Sequence, residues 1–96
     1  MPVVRITNYR IAPGTLAELL TQRIALIDRI RSANPGLTET RLIRLEDGSY
    51  TDIWRWESAE HMLAAFGDAR GLPLVGVTMS LTSDATAMTG EIVDER

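Results

Sequence analysis

The sequence predicts one small α+β domain of the β-α-β-β-α-β kind. Three observations carry this expectation. A long amphipathic helical stretch follows a β-branched strand, an Asp-Gly pair joins two alternating strands, and a second serine-capped helical stretch precedes a last strand.

Val3 to Ile11 reads as a strand, β-branched and aromatic with no breaker, and Pro13-Gly14 ends it. Thr15, with Glu18 three residues on, is expected to open a helix as a capping box. That helix should run from Leu16 to Ser32, because Leu16, Leu19, Leu20, Ile24, Leu26, Ile27 and Ile30 share one arc at the 3.6-residue period. Arg23 falls inside the arc and is its misfit. Asn34-Pro35-Gly36 stops the helix.

Leu37 to Leu45 and Tyr50 to Trp56 read as two strands around Glu46-Asp47-Gly48-Ser49. Asp-Gly predicts a two-residue type I′ turn. The resulting register sets Leu45 opposite Tyr50, Ile43 opposite Asp52, Arg41 opposite Trp54 and Glu39 opposite Trp56, all on one face. Leu42 and Ile53 fall on the other. Ser58 is expected to cap a helix from Ala59 to Ala69, with Met62, Leu63, Phe66 and Ala69 on its apolar arc and His61 on its polar side. Gly71-Leu72-Pro73 breaks it. Pro73 to Leu81 fits either a short helix or an irregular apolar segment. Thr86 to Val93 closes the chain as a strand, weakened at Gly90. This order is the ferredoxin-like topology: a four-stranded antiparallel sheet with helices on one face.

Composition narrows the chemistry. The 96 residues suit one domain, spanning 1–96. A chain this short buries only ~60–65% of its unfolded surface, so a homodimer is expected. The net charge of −3 argues against nucleic acid and against anionic membrane surfaces. The start, MPVVRITNYR, lacks the basic and apolar regions of a signal peptide, and no run approaches the ~20 apolar residues of a membrane span. A cytoplasmic location is expected. There is no Cys, so thiol nucleophiles, thiolate zinc sites and disulfides are excluded. All ten basic residues are Arg, which excludes lysine Schiff bases, and the only His is His61. No metal and no organic cofactor is the expectation.

The layout resembles the antibiotic biosynthesis monooxygenase family of the dimeric α+β barrel superfamily. The likeness lies in Ala12-Pro13-Gly14 before the first helix, the Asn34-Pro35-Gly36 turn after it, and the stretch Trp56-Glu57-Ser58-Ala59-Glu60-His61. The resemblance implies two sheets packed face to face in a homodimer, with a pocket in each subunit between sheet and helices. It also implies that Trp56 matches the family's pocket tryptophan. Where cofactor-free oxygenases of the family carry an Asn four residues earlier, this chain has Asp52. Asn8 lies near the position of an Asn in haem-degrading members, but no His follows the second helix to ligate haem. Quinol-type members often carry a His late in that helix, where this chain has Ala65.

The candidate site follows. Trp54, Trp56, Tyr50, Asp52 and Arg41 are expected to form a wall for a small aromatic ligand, flat and edged by charge. The plainer alternative is packing, with Arg41 stacked on Trp54 and paired with Asp52 or Glu39. Asp52 is the candidate base, its pKa raised between two indoles. Trp56 and Asn8 are candidate donors, and Arg23 or Arg41 would hold negative charge. Tyr9 reads as a core or interface residue. The expected activity is oxygenation of a planar phenol or quinol, and the alternative is a non-catalytic dimeric binding domain.

Overall fold

A computed structural model describes residues 1–96. The elements run β1 (Val3–Ile11), α1 (Leu16–Ala33), β2 (Leu37–Arg44), β3 (Tyr50–Trp56), α2 (Ala59–Ala69), α3 (Pro73–Met79) and β4 (Thr82–Glu91). The four strands form one antiparallel sheet in the order β2-β3-β1-β4. This is the expected α+β ferredoxin-like architecture with one helix added. The ambiguous segment after α2 is that helix, with Pro73 at its start, where a missing N–H costs nothing.

Local chemistry sets the ends of the helices. Ser58 caps α2 as expected, its Oγ accepting from the His61 N–H at 3.1 Å. The capping box at Thr15 does not form: Thr15 is itself helical in φ and ψ, and its side chain makes no cap bond. Arg31 closes α1 by donating from Nε to the Leu37 carbonyl at 3.1 Å, across the Asn34-Pro35-Gly36 turn. That turn carries a tight contact. A Cβ on Gly36 would lie within 2.8 Å of His61 Cβ and Cγ, so only glycine lets α2 approach so closely.

The hairpin corrects the expected register by one residue. Leu45 N–H donates to the Ser49 carbonyl at 2.8 Å, and Gly48 N–H donates to the Leu45 carbonyl at 3.0 Å. Gly48 has φ +85°, while Asp47 has no positive φ. The loop is therefore a three-residue turn with a glycine bulge, which needs one left-handed residue rather than the two of a type I′ turn. Thr40 now pairs with Trp54, Leu42 with Asp52, and Arg41 with Ile53. The one-residue slip moves the β2 side chains from Glu39 to Arg44 to the opposite face, while a second irregularity between Leu37 and Glu39 keeps Leu37 beside Trp56.

The helices cover one face of the sheet. Val3, Leu37 and Trp56 pack there against Leu26, Ile27 and Ile30 of α1 and Met62 and Ala65 of α2. The helical arcs are wider than the sheet they cover. Ile24 and Leu63 lie on the expected arcs yet are 60% and 64% exposed. The uncovered face carries Ile6 paired with Ile53 and Met88, flanked by Ile43. Strand β4 starts four residues earlier than expected, because Thr82 and Ser83 pair with Ile11 and Arg10 beyond a bulge. There Asp84 and Ala85 oppose Tyr9 alone, and Asp84 adopts φ +54°, which aspartate tolerates better than most side chains.

Candidate functional site

Between sheet and helices lies a cavity of about 370 Å³, within the range of small-molecule sites. Strand alternation places Arg5, Thr7 and Tyr9 of β1 and Asp52 and Trp54 of β3 on its floor. Leu19, Arg23, Leu26 and Ile30 of α1 form one wall, and Phe66, Val75 and Met79 form the roof. Ala85, at the β4 bulge, and Ala87, paired with Thr7, complete the lining from that strand.

Asp52 is the hub of a closed polar network. Arg23, the misfit of the α1 arc, reaches down and pairs with it through both ends of its fork, Nε to Oδ2 at 3.1 Å and Nη2 to Oδ1 at 2.8 Å. The Tyr9 hydroxyl donates to Oδ2 at 2.9 Å, and the Trp54 indole N–H donates to Oδ1 at 2.8 Å. Four donors on two oxygens take up the roughly four lone-pair sites of a carboxylate. The Arg23 and Asp52 side chains are only 11% and 10% exposed. Burial first, then the neighbouring Asp52 charge and the hydrogen bond to it, push the Tyr9 phenol above its ordinary range, with Arg23 opposing. Tyr9 is thus a fixed, protonated donor. Asp52 is held as an anchor, with no free lone pair for a substrate proton.

The structure separates the other candidates. Trp54 lines the cavity, and Arg23 and Asp52 meet at its floor. Trp56 does not: it is 0% exposed and lies in the core, edge-on to Phe66 at 5.9 Å between centroids and 6.5 Å from Trp54. Its Nε1 has no acceptor. Asn8 is on the opposite face, where its amide donates to Ser49 Oγ, the Tyr50 carbonyl and Thr51 Oγ1. Arg41 follows the corrected register onto that same face, 71% exposed and 3.9 Å from Glu39, so it meets neither Trp54 nor Asp52. Tyr50 shares the Asp52 face but lies outside the cavity, under the Arg44 guanidinium at 5.5 Å. His61 is occupied with Ser58, Nδ1 to Oγ at 2.6 Å.

Sequence reasoning missed Tyr9 as a site residue and did not single out Arg5. The signal was present in β1. An arginine and a tyrosine four residues apart on one strand share a face, as the period of two requires.

No protein-family model matches the sequence, and no curated protein is significantly similar to it. Solved structures match it closely in shape. An asparagine-to-alanine variant of SnoaB, a cofactor-independent oxygenase from Streptomyces nogalater, is 17% identical over 98% of this chain and 95% of that one, with a TM-score of 0.80. A structure described as an antibiotic biosynthesis monooxygenase is 17% identical over 96% and 99%, with a TM-score of 0.72. The fold is that of the antibiotic biosynthesis monooxygenases. A variant of MhuD with two manganese protoporphyrin IX molecules bound in each active site is 22% identical over 98% and 97%, with a TM-score of 0.68. Among the residues lining the present cavity there is no His or Cys, and the Tyr9 hydroxyl is committed to Asp52.

Proposed function

We propose that the chain is a cytoplasmic, homodimeric oxygenase of planar phenols or quinols that works without metal or flavin. The observation that carries this is the apolar cavity floored by Trp54 and closed by the Arg23–Asp52–Tyr9 network. The shared fold with a cofactor-independent oxygenase supports it. In the reaction, a phenol carbon gains one oxygen atom of O2 as a carbonyl. Two hydrogens leave the substrate and depart with the other oxygen atom as water, and the substrate supplies all the electrons. The protein supplies a dry site, a flat wall and a cation. Arg23 beside the cavity keeps Nη1 without a bond inside the chain, and a hydrogen bond from it to the phenol oxygen would favour the ionised form. Asp52 sets the position of Arg23, Tyr9 and Trp54 rather than taking the proton itself.

One observation favours the alternative of a non-catalytic binding domain: the four donors on Asp52 leave the cavity without a free carboxylate base. Oxygen uptake decides between the two. With naphthalene diols, the oxygenase reading expects uptake above the autoxidation rate, saturable in substrate and unchanged after exhaustive chelation. Diols that quench tryptophan emission saturably yet give no uptake would establish the binding domain instead.

The dimer has its own test. Ile6, Ile43, Ile53 and Met88 leave an apolar patch on the uncovered sheet face, with Met88 63% exposed. Two such faces packed together bury it. Light scattering should report about twice the chain mass of 10.6 kDa, and Met88→Arg should shift the population to monomer. A wild-type chain that runs as a monomer at micromolar concentration would rule out the face-to-face barrel.

A further inference from the structure

Two arginines line a cavity that contains one carboxylate. The charge of Arg23 is matched by that carboxylate, which it meets through Nε and Nη2. Arg5 is not engaged by any: the ion pairs of the chain involve Arg23, Arg41, Arg55, His61 and Arg96. Its Nη1 donates to Thr89 Oγ1 at 2.9 Å, and its guanidinium carbon lies 5.7 Å from the Phe66 ring centroid. A hydroxyl and an aromatic ring orient a guanidinium without neutralising it. The lining therefore keeps one uncompensated positive charge, in a chain whose net charge is −3. The Thr89 bond also leaves the Nε–Nη2 edge without a protein acceptor, and this edge is one that grips a carboxylate side-on.

We propose that Arg5 is an anion-recognition residue of this cavity, and that the ligand is a planar aromatic acid. The proposal rests on the cavity being the ligand site. Arg5 is paired directly across the sheet with Trp54, so an acid group held by Arg5 lays the attached ring on the indole. Tyr9 stands four residues along β1, roughly 13 Å away at the rise of a strand, with Arg23 and Asp52 beside it. The carboxylate thus lies at the Arg5 end, and the part of the ring system that reacts extends toward Arg23. A guanidinium fork matches a carboxylate better than it matches a single phenolate oxygen, which assigns the acid to Arg5.

Isothermal titration calorimetry with hydroxynaphthoic acid, its methyl ester and naphthol tests this. At low salt the acid should bind the wild-type chain about tenfold or more tighter than the ester, the worth of one charge-assisted hydrogen bond. Added salt should erode that ratio. Arg5→Met should bring it close to one, and Arg5→Lys should keep part of it. Equal binding of acid and ester by the wild-type chain overturns the proposal, and this measurement needs no variant to fold. A ratio that survives in Arg5→Met overturns the assignment to Arg5. If naphthol and the ester bind while the acid gains nothing, Arg5 alone is wrong and the cavity remains the ligand site. If none of the three binds, the ligand-site reading falls together with the Arg5 proposal.

Discussion

Asp52→Ala lowers the stability of the fold by ~3–5 kcal/mol, the usual cost of removing one partner from a buried ion pair. The cost arises mainly from what is left behind. Arg23 stays in a site where its side chain is 11% exposed, with no counter-charge, and Tyr9 and Trp54 lose their acceptor. Thermal unfolding should register roughly 4–8 °C for each kcal/mol in a domain of this size. Asp52→Asn should also be unstable, although it keeps the shape. Every group around the side chain is a donor, and the amide presents two further N–H groups to them. The charge at Asp52 belongs with the charge at Arg23, which meets it through two hydrogen bonds. The double variant Arg23→Met, Asp52→Leu should recover the part of the loss that comes from the unpaired Arg23 charge, because apolar residues of similar volume often replace a buried pair without penalty. It should not recover the part from Tyr9 and Trp54, which stay without an acceptor. Should Asp52→Ala melt within a degree or two of wild type, the network would be incidental to the fold and Asp52 would again be open to a catalytic role.

The sequence made the fold legible and the site half legible, and the boundary between the two is physical. Strand and helix periods are local, so β1, α1, β3 and α2 could be placed from spacing alone. The hairpin register was not determined by the same signal. Asp-Gly serves a two-residue turn with two left-handed residues and a three-residue turn with one, and only the hydrogen bonds of Leu45 and Gly48 distinguish them. That single residue of slip carried Arg41 away from the cavity and brought Leu42 beside Asp52. Arg23 was legible for a different reason. An arginine inside an apolar arc must snorkel or find a partner, and Asp52 on the facing strand was the partner. Asn8 was misplaced because β1 is apolar enough on both faces to hide which one meets the helices. Arg5, Thr7 and Tyr9 face the cavity, which leaves Asn8 on the far side.

The two tryptophans show the same limit along a strand, and they give the second prediction. Period two places Trp54 and Trp56 on one face but says nothing about depth. Trp56 belongs to the buried core with Ile30 of α1 and Met62 and Ala65 of α2, and it meets Phe66 edge-on. Trp54 is one pleat further along, at the cavity. Trp56→Ala should therefore cost ~3–5 kcal/mol, as expected for a fully buried tryptophan. This is a large share of the ~5–15 kcal/mol that holds a small domain together. Trp56→Phe should cost much less, because it removes an indole N–H that is buried without an acceptor while keeping an aromatic ring against Phe66. Ligand binding should separate from stability across the same pair. Trp54→Ala should abolish quenching by a naphthalene diol while the chain still unfolds cooperatively, and Trp56→Phe should retain the quench. Chemical denaturation and a quenching titration on the two variants check both halves. A Trp56→Phe chain that folds normally but loses the quench would mean that ligand reaches Trp56, and that the cavity extends through what is now the core.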